Sequence, residues 1–122
     1  MARAKPPSFP RQLEILLAEK SELLSKAQAL MTIGLQDTAQ PLWASAASYE
    51  ERIASLLDAH GSQVEAAAHR VSAASCYQHA GDPSRATNLY RAALAGPLRK
   101  TTRKDVEHML RECLELLAAP GK

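Results

Sequence analysis

Cys76 stands three residues before His79 and seven after His69. A thiol with an imidazole in reach is the minimum equipment for nucleophilic catalysis, but the ring needs an acid to orient it. No acid is placed by spacing to orient either histidine, and Cys113, next to Glu112, falls in an apolar stripe. Glu65 and His69 are one helical turn apart, as are Cys76 and His79. Either pair offers two metal ligands from a single helix, and a metal site needs three or four. Di-iron bundles require Glu-x-x-His on two helices, and that motif does not occur. Gly81-Asp82-Pro83 is a turn with one glycine, not a phosphate-cradling loop. The reading is therefore no catalytic residue, no metal, no cofactor and no enzyme. His60, His69, His79 and His108 are scattered, as solvent-facing side chains or helix-end caps would be. The two cysteines lack metal-type spacing and read as reduced, partly buried thiols.

What remains is charge. A net charge of +2 does not mark a nucleic-acid protein, but cations gather at two places. Arg3, Lys5 and Arg11 precede the first acid, Glu14, and Arg99, Lys100, Arg103 and Lys104 form a second group. Cations at the start of a helix oppose its dipole, so the second group reads either as a contact for an acidic partner or phosphate, or as a solvated linker. No aromatics for base stacking accompany it, which argues against single-stranded nucleic acid.

The elements that hold these residues are helices. Of 122 residues, 46% are hydrophobic, 23% charged and only 4% aromatic, an ordinary globular balance for one domain. Alanine and leucine dominate, which favours helix. No apolar run approaches the ~20 residues that span a bilayer, and no secretory leader opens the chain, so a cytoplasmic location is expected. Residues 1–10, with three prolines, read as a flexible basic arm.

Punctuation predicts five helices within one domain over residues 11–119. The first runs from Arg11 to Ile33 and ends at Gly34. Leu13, Leu16, Leu17, Leu23, Leu24, Ala27, Leu30 and Met31 form its apolar face, and Lys20 interrupts that face with a stem able to lie over apolar surface. The second is expected to start after Thr38, which would leave Pro41 in the first turn. Ser62 with Glu65, and Thr102 with Asp105, have capping-box spacing for the third and fifth helices. Gly81-Asp82-Pro83 divides the third helix from a short fourth, from Ser84 to Ala95. The expected units are 11–60, 62–96 and a capping helix at 102–118.

A shift of 47 residues carries Ser25, Ala27, Gly34, Ala39, Leu42 and Ala46 onto Ser72, Ala74, Gly81, Ala86, Leu89 and Ala93, and Trp43 onto Tyr90. Alanines flanking a ring in each hairpin let antiparallel helices approach to about 8–10 Å. This pattern resembles the tetratricopeptide repeat: a small residue, an aromatic three later, a glycine turn, then alanine, aromatic and alanine. Ala74, Tyr77, Gly81, Ala86, Tyr90 and Ala93 follow it closely, and Ala27, Leu30, Gly34, Ala39, Trp43 and Ala46 less so. Arg70 stands where the family places a large apolar residue. The repeat also exceeds the family's length of about 34, so the second helix should overhang its partner by roughly 10–13 residues, or about 15–20 Å. Its Ile53, Leu56 and Leu57 would then need a cover, from the last helix or from a second copy in a homodimer.

The resemblance implies all-α, antiparallel helical hairpins with a C-terminal capping helix, and a concave surface that receives a peptide or helix. By position that surface holds Leu24, Gln28 and Met31, with Ser21 and Thr32, from the first unit. From the second come Val71, Ser75, Gln78 and His79, with Ala68. Members that grip a carboxylate carry lysine and asparagine where this chain has Leu24, Gln28, Val71 and Ser75, so no such grip is implied. The expected function is a protein-interaction module. The alternative is binding of nucleic acid or another anionic surface through segments 3–11 and 99–104.

Overall fold

In a computed structural model, which describes residue 5 and residues 7–119, the chain forms five α-helices. They are α1 (Phe9–Thr32), α2 (Gln36–Ala59), α3 (Gln63–His79), α4 (Pro83–Leu94) and α5 (Lys100–Ala118). No strand occurs among the described residues. Each helix packs along the next one in sequence, α1 on α2, α2 on α3, α3 on α4 and α4 on α5. Short turns between elements that pack along their lengths make successive helices antiparallel. No described helix is long and apolar enough to cross a membrane. Residues 1–4, including Arg3, and residues 120–122 lie outside the described part.

Three of the four turns are copies of one another. Gly34, Gly61 and Gly81 have φ of 81°, 85° and 78°. In each turn the amide after the glycine reaches back to a helix carbonyl: Leu35 to Leu30 at 2.8 Å, Ser62 to Leu57 at 2.8 Å and Asp82 to Tyr77 at 2.9 Å. This is the left-handed glycine closure of a helix C-terminus. The residue after each glycine, Leu35, Ser62 or Asp82, is the N-cap of the next helix. Five residues past each glycine lies a fully buried alanine, Ala39, Ala66 or Ala86.

Two clusters make the core. The larger joins Ala27, Ala39, Trp43, Ala46, Ala74, Tyr77, Ala86, Tyr90, Val106 and Cys113. The alanine-flanked rings of both hairpins are thus inside, as the repeat pattern requires. The smaller contains Ile53, Ala54, Leu57 and Ala66 under Phe9, Leu13, Leu16 and Leu17.

Several local expectations are revised. α2 begins at Gln36, not after Thr38, because the glycine turn delivers Leu35 directly into the helix, and Pro41 lies inside it. The missing proline N–H leaves the carbonyl of exposed Asp37 to solvent. Neither capping box forms: Ser62 makes no side-chain cap, and α5 starts at Lys100 with Arg99 ahead of it. Asp82 does cap α4, accepting from the Arg85 amide at 3.1 Å. α2 has no overhang, since α1 is equally long, at 24 residues, and its first half covers Ile53 and Leu57. Phe9, assigned to the arm, opens α1 and stacks on His60 with centroids 3.7 Å apart. α5 packs on α4 and not over the α2 extension.

Replacing Gly34 or Gly61 with alanine places a Cβ in open space but in the left-handed region. Each change should cost about 1–2 kcal/mol in urea unfolding. The two should add, because the turns lie at opposite ends of the helices.

Candidate functional site

α1 and α3 both lie along α2 and touch each other little. The strip of α2 between them is Trp43, Glu50 and Leu57, spaced by seven and so in line along the helix. Glu50 is only 3% exposed. Its Oε1 is reached from both sides, by Lys20 Nζ of α1 at 3.3 Å and by His69 Nδ1 of α3 at 2.8 Å. An ionised carboxylate only accepts, so His69 carries its proton on Nδ1. A buried carboxylate needs such partners, because leaving water unpaired is costly.

Trp43, one heptad nearer the start of α2, is also buried, and its Nε1–H has no acceptor among the described residues. His79 lies on its ring, centroids 4.5 Å apart and planes 24° from parallel, with the imidazole otherwise exposed. The groove floor is therefore an indole at one end and a neutralised carboxylate at the middle.

The expected concave residues divide between two grooves. Leu24 and Met31 of α1 are half-buried against the Trp43 cluster, and Gln28, on the same face, is exposed. His79 belongs with them through its stack. Val71, Ser75 and Gln78, at four- and three-residue spacing on α3, are half-buried. Gln78 turns toward α4 and α5, where its Oε1 accepts from Tyr90 Oη, which also lies 3.4 Å from Met109 Sδ. Gln78 and His79 thus serve different sides of α3, as adjacent helical positions 100° apart must.

Of the basic group, Arg99, Lys100 and Lys104 are exposed. Arg103 instead donates to the carbonyls of Leu94 at 2.8 Å and Gly96 at 3.1 Å, closing the end of α4. Arg11 pairs with Glu14 at 3.1 Å, and Lys5 is exposed. Arg70, out of pattern for the repeat, pairs with Asp58 across the α2–α3 turn.

The expectation that no acid orients a histidine is corrected by Glu50, which holds His69. Burial, reinforced by the Glu50 charge and opposed by Lys20, pushes the Cys76 thiol up to about 11, and no hydrogen bond joins it to His69. Burial raises Cys113 as well. Both cysteines are buried free thiols. No three His, Cys, Asp or Glu side chains among the described residues are grouped to hold a metal.

Sequence reasoning passed over Glu50 and Trp43 as site residues. The signal was present: Glu50 interrupts the apolar face of α2 as Lys20 interrupts that of α1. Two interruptions of opposite sign on neighbouring helices are a buried ion pair in waiting.

Two measurements follow. Lys20→Met removes the cation from a carboxylate that cannot reach water, and should cost about 3 kcal/mol. Glu50→Leu frees Lys20 to extend its amine outward and should cost less, and the double variant should recover most of the loss in a double-mutant cycle. The raised Cys76 pKa means that the folded chain holds its proton when the unfolded chain has lost it. Stability should therefore fall as pH rises from about 9 toward 11. Cys76→Ala should remove that share of the alkaline loss.

The sequence matches no protein-family model, and no curated protein and no solved structure matches it.

Proposed function

We propose that this chain is a non-catalytic, cytoplasmic protein-interaction module of tetratricopeptide-like build, which receives a helical or extended segment in the groove between α1 and α3. The observation that carries the reading is the groove floor. α1 and α3 lean on α2 without closing on each other, over a buried indole whose N–H has no acceptor among the described residues. A bound segment brings backbone carbonyls, the acceptors that such a donor lacks. Leu24 and Met31 offer apolar contact, and Gln28 offers an amide at the rim, which suits a peptide better than a small polar substrate. The tetratricopeptide-like build is supported by two hairpins whose alanine–aromatic–alanine positions are all buried, Ala39, Trp43 and Ala46 in one and Ala86, Tyr90 and Ala93 in the other.

A second reading, binding of an anionic surface, draws support from Arg99, Lys100 and Lys104. All three are exposed and free of ion pairs among the described residues. It entails affinity that falls steeply with salt.

Trp43 is the sole tryptophan, so its fluorescence reports directly on the groove. Peptides selected from a helical display library should shift its emission on binding. Gln28→Glu with His79→Ala should weaken them by roughly tenfold or more, the size of a rim amide and a stacked ring together. Binding unchanged in affinity, with no emission shift, would remove the groove from consideration. Gln78 is left unchanged in this test, because it accepts a hydrogen bond from Tyr90 within the fold.

A further inference from the structure

α5 is charged against its own dipole. Its first turn contains no acid and its last turn no base. Arg99, Lys100 and Lys104 gather at its start, and Glu112 and Glu115 stand in its last two turns. Both arrangements weaken an isolated helix. His108 meets Glu112 at 2.7 Å on the open surface, while the three cations and Glu115 have no ion-pair partner among the described residues. Arg99, Lys100, Lys104 and Glu115, which disfavour their own helix and pair with nothing among the described residues, point to a contact outside it.

Each end also bears apolar surface. Beside the basic end, the first turns of α3 and the α4–α5 loop enclose a cleft of ≈ 300 Å³, lined by Val64, Ala68, Leu98, Arg99 and Thr102, with Glu65 its one acid. Val64 is 53% exposed in its wall. The opposite wall is held by the Arg103 bonds to Leu94 and Gly96, so the cleft is preformed. At the acidic end, Leu116 and Leu117 are 63% and 48% exposed. Large apolar side chains this open on a small domain usually mark a contact.

We propose that the cleft receives the last turns of α5 from a second copy of this chain. Leu116 enters between Val64 and Leu98, and Glu112 and Glu115 approach Arg99, Lys100 and Lys104. Cleft and insert lie at opposite ends of one helix, so two copies with antiparallel α5 helices make both contacts at once. Thr102 and Leu116, two heptads apart, lie on one side of α5, so cleft and insert open in the same direction. Such an interface closes as a dimer instead of growing into a filament. It is independent of the groove over Trp43.

Sedimentation velocity of the full chain, from micromolar to near-millimolar concentration, tests this. The expected result is a monomer–dimer equilibrium that weakens with salt. Arg99→Glu with Lys100→Glu should weaken it at least roughly tenfold while leaving the folded monomer as stable or more so, because acids suit a helix N-terminus. Leu116→Lys should act alike, for the same reason at the other end. Adding Glu112→Lys and Glu115→Lys to the first pair should restore association by reversing both partners. A monomer at every concentration, or a dimer indifferent to these variants, overturns the proposal.

Discussion

Alanine sets the distance between neighbouring helices here. Ala27, Ala39, Ala46, Ala47, Ala66, Ala73, Ala74, Ala86 and Ala93 are fully buried, and each removes the side-chain bulk that would hold two helices apart. Burying alanine stabilises less than burying leucine, so the fold draws its strength from close approach along whole helices together with a few large side chains. Tyr90, Ile53, Leu57 and Val106 are the largest of these with almost no exposure. Trp43 and Tyr90 occupy the places where alanines alone would leave voids, and a void in such a core costs contact on every side. The three identical glycine turns follow from the same demand. Only a tight reversal keeps consecutive helices near enough for alanine to touch alanine.

That spacing makes Glu50 possible. With α1 and α3 drawn close to α2, a carboxylate on the shared strip is reached from both flanks. It then links three helices that would otherwise meet only in pairs. A buried ion pair adds little net stability over apolar packing. What it contributes is register: Lys20 and His69 must stand level with Glu50, which sets how far α1 and α3 slide along α2. The groove inherits its shape from that constraint. Burial, with the Glu50 charge adding to it, keeps the neighbouring Cys76 protonated.

The terminal helix obeys different rules. The turn before it is not of the glycine type, and it is held by Arg103 reaching back to α4. Its surface charges do not serve its own stability. In α5 the polar groups divide: Arg103 and the His108–Glu112 pair are engaged within the chain, while Arg99, Lys100 and Lys104 have no ion-pair partner among the described residues.

Element number, element type and the identity of the buried rings were legible in the chain, because glycine turns and alanine spacing act over a few residues. The alanine–aromatic–alanine runs in α2 and α4 announced their buried faces by helical period alone. Helix starts were less legible. Ser62 does stand at the N-cap of α3, without a side-chain bond, whereas α5 begins at Lys100, ahead of the capping residue Thr102, because the α4–α5 loop delivers Arg99 into the helix. The overhang of α2 was misjudged from repeat length, although the run from Arg11 to Ile33 already read as a helix long enough to cover it. Glu50 with Lys20 and His69, the division of Gln78 from His79 and the engagement of Arg103 belong to tertiary structure. Each depends on which face of one helix meets which level of another, over separations of up to thirty residues. Local sequence determines a helix and its apolar side; only packing decides the rotation and the slide that bring two distant charges together.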